Sequence, residues 1–111
     1  MPKYVIEREM PGIGQATVEQ LREAATNSNA VVADLGPEIR WLQSFITDDK
    51  IYCVYAASSE DILREHARCA DLPADRISRV VAVADPSWGE PIDQRRQDGA
   101  TQIEERSRVA Q

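Results

Sequence analysis

Cysteine and histidine are scarce in this chain: two cysteines, Cys53 and Cys69, and one histidine, His66. Two cysteines are too few for a disulfide scaffold, and in a reducing compartment they read as thiols that pack as small hydrophobes. The sequence contains no C-x-x-C, no G-x-G-x-x-G after a strand, no G-x-x-x-x-G-K loop and no H-E-x-x-H. The familiar redox, dinucleotide, nucleotide-phosphate and zinc-peptidase signatures are therefore absent. Basic charge is in deficit as well, with 13 Lys and Arg against 19 Asp and Glu, a formal net charge of -6 and a pI near 4.7. Such a chain has no overall attraction to phosphate backbones or anionic lipid, and nucleic acid is not an expected partner. No run approaches the roughly 20 apolar residues of a membrane helix. The opening MPKYVIEREMPG interrupts its apolar stretch with Glu7 and Glu9, unlike a secretory leader. A cytoplasmic protein without membrane contact is expected, and 111 residues are enough for one core.

The elements that are present follow from periodicity and punctuation. Lys3 to Glu9 opens on Tyr4, Val5 and Ile6, residues of high strand propensity, and is closed by Pro11 and Gly12. Thr17 with Gln20 is a capping-box signature, after which Val18, Leu21, Ala25, Ser28, Val32 and Leu35 recur at spacings of three and four, one stripe of a long helix. Gly36 and Pro37 end it. Glu38 to Thr47 and Ile51 to Ala57 flank Asp48, Asp49 and Lys50, a break short enough for a hairpin turn. With Asp48 and Asp49 as the loop, the register places Trp41, Phe45, Tyr52 and Val54 on one face and Leu42, Ile46, Ile51, Cys53 and Tyr55 on the other. Both faces are apolar, so the sheet needs a cover on each, and helices supply only one.

Ser58 or Ser59 caps a second helix that carries Glu60 and Asp61 in its first turn and stops before Pro73. Arg76 to Ala84 reads as the last strand. The order β-α-β-β-α-β is the split unit of ferredoxin-like folds, an α+β architecture with an antiparallel sheet and two helices on one face. Residues 1–85 form this domain, and residues 86–111 are a polar tail. Within the tail Thr101 and Glu104 predict a short helix carrying Ile103 and Val109. Trp88 and Ile92 are its docking points if it packs across a partner subunit rather than remaining free.

On a helical wheel Ile62, Leu63, His66, Ala67 and Ala70 share an arc, with Cys69 at its edge and Arg64, Glu65 and Arg68 outside it. His66 therefore points toward the sheet, where an imidazole needs a hydrogen-bond partner or a ligand. A metal there needs at least a third donor beyond an i, i+3 pair, with Cys53 and Glu7 as candidates. The alternative is a packed histidine bonded to the protein. Glu7 and Glu9 alternate with Arg8 on a central strand, so at least one charge is half-buried and needs pairing, either with Arg40 or Arg79 or within a cavity beside His66. Trp41, Phe45, Tyr52 and Tyr55 line either an aromatic pocket or core and interface. Asp48, Asp49 and Lys50 read as turn chemistry rather than a cation site.

The order of MPG at Met10 to Gly12, Trp41, DDKIYCVYAASSE at Asp48 to Glu60, REHAR at Arg64 to Arg68 and LPADRI at Leu72 to Ile77 resembles a family of small ferredoxin-like proteins. That family includes actinobacterial nickel-binding proteins, and the likeness covers Tyr4 to Asp85. It implies a homodimer of the dimeric α/β-barrel type and, in the nickel-binding branch, a divalent transition metal held by histidines. Of that branch's histidine positions only His66 carries over, the others holding Glu7 and Arg8, Thr26 and Asn27, and Asp71 and Leu72. The expectation is a non-enzymatic dimeric binding protein that takes nickel, another divalent metal or a small ligand between helix two and the sheet. The ligand-contacting residues are His66, Trp41 and Tyr55, and the metal donors His66, Glu7 and Cys53. Two readings compete: a cofactor-independent oxygenase or isomerase with one histidine or carboxylate as base, and a protein interaction module.

Overall fold

The computed structural model describes residues 1–91. The chain divides into two units after Val80. In the first unit, strand β1 (Lys3–Glu9) leads through a short 3-10 turn (Ile13–Gln15) into helix α1 (Val18–Leu35), followed by β2 (Ile39–Ile46), β3 (Lys50–Ala57), helix α2 (Glu60–Ala70) and β4 (Arg76–Arg79). The four strands form one antiparallel sheet in the order β2-β3-β1-β4, so β1 and β3 are central. This is the ferredoxin-like α+β arrangement. No helix among the described residues is long and apolar enough to cross a membrane.

The local signals explain the helix ends. Thr17 Oγ1 accepts from the Gln20 amide at 3.1 Å while the Gln20 side chain accepts from the Thr17 amide at 2.9 Å, the reciprocal capping box that starts α1. Gly36, at φ +88°, makes the turn out of the helix that a residue with a Cβ resists. Helix α2 begins after Ser59, whose side chain makes no bond to the helix, and Asp71 ends it in the left-handed region. The two helices are tied to each other by Asn27 Nδ2, which donates to the Ala70 carbonyl at 3.1 Å and satisfies an acceptor the end of α2 leaves open.

Under the helices the sheet presents Tyr4, Ile6, Cys53, Tyr55 and Ala57, joined by Ile39 and by Leu63 from α2, all buried. Each large apolar side chain in this set contributes about 1.5–3 kcal/mol by leaving water. The hairpin register holds as the two-residue loop requires from Ile46↔Ile51 to Gln43↔Val54, and then shifts. Leu42 bulges out, and Trp41 pairs with Tyr55. That extra residue corrects the expected face of Trp41. It leaves the side of Phe45, Tyr52 and Val54 and packs against the core.

The last strand is also shorter than expected, ending at Arg79 rather than Ala84. Its partner β1 begins at Lys3, whose carbonyl accepts from the Val80 amide at 2.8 Å. β1 is preceded by Pro2, which has no amide hydrogen to extend the ladder, and Val81 and Val83 are exposed. In the second unit the described residues, 81–91, include a 3-10 turn (Pro86–Gly89) whose cap, Asp85, accepts from the Ser87 amide at 2.9 Å. The expected helix at Thr101 to Glu104, and Ile92, lie outside the described residues.

The segment between β1 and α1 clasps the hairpin turn. Met10 and Gly14 amides donate to the Asp49 and Asp48 carbonyls, both at 2.9 Å, and the Gly12 amide donates to Asp49 Oδ1 at 2.8 Å. The Asp49 carboxylate is thus engaged in turn chemistry. A Cβ on Gly14 would sit 2.8 Å from Asp48 Cα and 3.0 Å from the Thr47 carbonyl. Gly14→Ala is expected to destabilise the fold by about 1–3 kcal/mol, the range for forcing an extra carbon into a packed contact. Urea unfolding measures this, and an unchanged midpoint would show that the clasp yields freely.

Candidate functional site

Strand parity decides which charged residue of β1 enters the interior. Tyr4 and Ile6 face the helices, so Arg8 does too, at 1% exposure, while Glu7 and Glu9 face the other way. From the sequence, a half-buried charge of this strand is expected either in a pair between a glutamate and Arg40 or Arg79, or in a cavity beside His66. Instead Lys50 lies 3.2 Å from Glu9 and 3.7 Å from Glu7 on the open face. The hydrogen bond from Lys50 to Glu9 and the charges of both glutamates raise the lysine pKa. Glu7 is therefore on the wrong side of the sheet to act with His66.

Arg8 anchors a polar network inside the fold. Its Nε donates to Cys53 Sγ at 3.4 Å, one terminal nitrogen donates to the Pro73 carbonyl at 2.6 Å, and the other donates to the Tyr55 hydroxyl at 3.5 Å. Cys53 Sγ also accepts from Ser44 Oγ at 3.0 Å, and Ser44 in turn accepts from Trp41 Nε1 at 2.9 Å. The His66 ring lies 5.2 Å from that of Tyr55 between centroids, tilted by 58°. His66 Nε2 and Ser28 Oγ are 3.1 Å apart. His66 is 0% exposed, and its Nδ1 is the one buried side-chain nitrogen or oxygen among the described residues without a partner.

Four of the expected site residues, His66, Cys53, Tyr55 and Trp41, thus belong to one connected network, and Glu7 does not. Sequence reasoning missed Arg8, Ser28 and Ser44. Ser28 carried a signal: it is the one hydroxyl in the apolar stripe of α1, and it is 5% exposed. Cys69 is exposed on the outer side of α2 beside Glu65, and both cysteines are free.

Electrostatics follow from burial and from the guanidinium. Burial, followed by the positive charge of Arg8, lowers the His66 pKa, and a hydrogen bond to the Ser28 backbone opposes this in part. Burial raises the Tyr55 pKa, with Ser28 and Arg8 acting against it and Cys53 adding to it. The Tyr55 oxygen accepts from Arg8, and the hydrogen bond from the Ser28 side chain lowers the Tyr55 pKa by favouring the phenolate. Ser28 Oγ and His66 Nε2 lie within hydrogen-bond distance, and their donor and acceptor roles follow the ring tautomer.

A split βαββαβ sheet with two helices over one face, and a polar network closed between them, defines a ferredoxin-like domain built around an interior cation. The chain belongs to the SCO4226-like family of nickel responsive proteins, whose family model, nickel responsive protein SCO4226-like, matches residues 4–80. Among solved structures it is similar to SCO4226 from Streptomyces coelicolor A3(2), with a TM-score of 0.63 and 24% identity over 74% of this chain and 99% of that one. That likeness is one of fold. No curated protein matches the chain.

Nickel, the ion the family description names, does not fit the donors found here. The interior offers one imidazole and one thiol, and the thiol is hydrogen-bonded to a guanidinium, whose charge repels a second cation. Among the described residues no three His, Cys, Asp or Glu side chains are grouped to hold a metal ion.

The lowered His66 pKa has a definite sign in stability. The unfolded chain takes up the proton near pH 6.5, before the folded protein does, so the stability of the neutral ring is complete above that value. It is lost as the pH falls through about 6.5 toward the lower folded value. Urea midpoints are expected to hold between pH 8 and 7 and to decline below about 6.5, before ordinary carboxylates titrate near 4. In His66→Gln this decline should vanish, and an equal decline in the variant would assign it to other groups.

Proposed function

We propose that the protein is a non-enzymatic, homodimeric binding protein of the cytoplasm whose ligand space lies between α2 and the sheet, beside His66. The observation that carries the dimer is the face of the sheet that α1 and α2 leave open. By register this face presents Val5, Val54 and Tyr52 at its centre with Phe45, which is 54% exposed. Around this apolar centre stand charges of both signs, Glu7, Glu9, Lys50 and Arg40. A second copy turned about a two-fold axis places the same apolar patch and the same mixed charges opposite themselves, which is what an isologous interface requires.

The non-enzymatic reading rests on His66. A general base must reach the proton it abstracts, and a ring with 0% exposure under a helix is not presented to a substrate. Tight metal binding is no part of this proposal, because the donors His66, Glu7 and Cys53 do not converge and Arg8 occupies the same interior.

Two measurements test it. Sedimentation at micromolar concentration is expected to give a dimer, and Val54→Glu, which sets a carboxylate at the centre of the open face, should give a folded monomer. A monomeric wild-type protein would end the dimer reading. Calorimetric titration of nickel into chelator-stripped protein should show no sub-micromolar site. Tight binding that disappears in His66→Ala would overturn the account of the interior.

A further inference from the structure

Strand-forming sequence and strand pairing part company after Arg79. Val80 to Ala84 reads VVAVA, a run of β-branched and small apolar residues with no charge, glycine or proline, and Asp85 and Pro86 close it. Its first residue is still held, since the Val80 amide donates to the Lys3 carbonyl at 2.8 Å. From Val81 to Ala84 no amide or carbonyl makes a hydrogen bond among the described residues, and Val81 is 94% exposed. The opposite side of the sheet carries the counterpart. β2 is the outermost strand beyond β3, its outer edge pairs with no strand among the described residues, and Leu42, Phe45 and Ile46 on it are exposed. A free edge with apolar side chains is a template for a further strand unless charge or proline blunts it, and β2 carries a single charge, Arg40, and no proline.

The segment cannot reach that edge of its own sheet. In the order β2-β3-β1-β4 a strand beside β2 lies four strand intervals from β4, about 19 Å at about 4.8 Å each, whereas Val81 to Ala84 fully extended span about 14 Å. We infer that Val81 to Ala84 is an exchanged strand that pairs with the β2 edge of a second copy of this chain, each protomer giving its segment and receiving its partner's. The occupant is a second copy because each chain carries one unpaired segment and one unpaired edge, so a two-fold exchange uses both and closes at two chains. Main-chain bonds give such an addition its affinity, and by alternation Val81 and Val83 share one side of the segment, an apolar side that suits the exposed side chains of β2. Phe45 belongs both to β2 and to the open face, so the exchange borders the proposed interface rather than competing with it. The inference rests on the homodimer proposed above and adds the segment that locks it.

The test uses the full-length protein. Ala82→Pro combined with Val83→Pro removes one amide of each parity from the segment, and because neither amide makes a bond within the protomer the protomer should stay folded, which circular dichroism checks. Sedimentation is expected to show the dimer weakened by about tenfold or more, the change that losing a few net hydrogen bonds brings. Amide exchange read by NMR should find Val81 to Ala84 and the outward amides of β2 protected in the wild-type dimer and unprotected in the proline variant. A wild-type dimer whose dissociation constant the proline pair leaves unchanged would overturn the exchange and leave the dimer standing. Protection of Val81 to Ala84 that persists in a Val54→Glu monomer would also overturn it, since the pairing would then lie within one chain. A dimer that survives Val54→Glu and is lost in the proline variant would instead refute the open face as the interface and keep the exchange, and a monomeric wild-type protein refutes both.

Discussion

The structure depends on the placement of one cation, the Arg8 guanidinium, in the interior of a small α+β domain. Its position is set by nothing more elaborate than strand parity, since Tyr4, Ile6 and Arg8 share the face that the helices cover. Once there, it must be solvated by protein. The sulfur of Cys53, the phenol of Tyr55 and the carbonyl of Pro73 do this, and they bring β1, β3 and the segment after α2 to one point. Removing an acceptor leaves a buried donor unpaired, which costs more than the bond contributes. The network therefore fixes one arrangement of helix over sheet and excludes close alternatives.

The same parity divides the protein chemically. The helix-covered face holds the guanidinium, the imidazole and the thiol, whereas the carboxylates of Glu7 and Glu9 stay outside with Lys50. A site that gathers acids, imidazole and thiol around a metal would need these groups on one side. They are held apart by a strand that cannot turn over without exposing Tyr4 and Ile6, so the separation is a property of the fold and not of a rotamer. Membership in a nickel responsive family and an interior that disfavours nickel are compatible, because family fixes the fold while the side chains at the site fix the chemistry.

Much of the architecture was legible in the sequence because its signals were local. The Thr17 and Gln20 capping box, the two-residue loop at Asp48 and Asp49, and the α2 wheel, where Arg64 and Arg68 mark the outside and His66 the inside, all needed only neighbouring residues. Three features were not local. Tyr4, Val5 and Ile6 are apolar on both parities, so nothing in KYVIERE says whether Arg8 or its flanking glutamates go inside. The bulge at Leu42, which turns Trp41 into the core, is decided by packing against Tyr55 and has no glycine to announce it. The end of β4 is set by where β1 runs out, not by the strand propensity of the valines that follow Arg79. Ser28 was visible as a hydroxyl in an apolar stripe, yet its role appears only when α2 brings His66 to it.

Because the chain has one histidine, its ring can be observed without assignment ambiguity. Long-range nitrogen–proton NMR at pH 7 tests the interior network most directly. A neutral ring whose proton is fixed on one nitrogen, with slow ring exchange, is the predicted result. A rapidly exchanging imidazolium, or a ring whose two nitrogens average as in a free side chain, would contradict it.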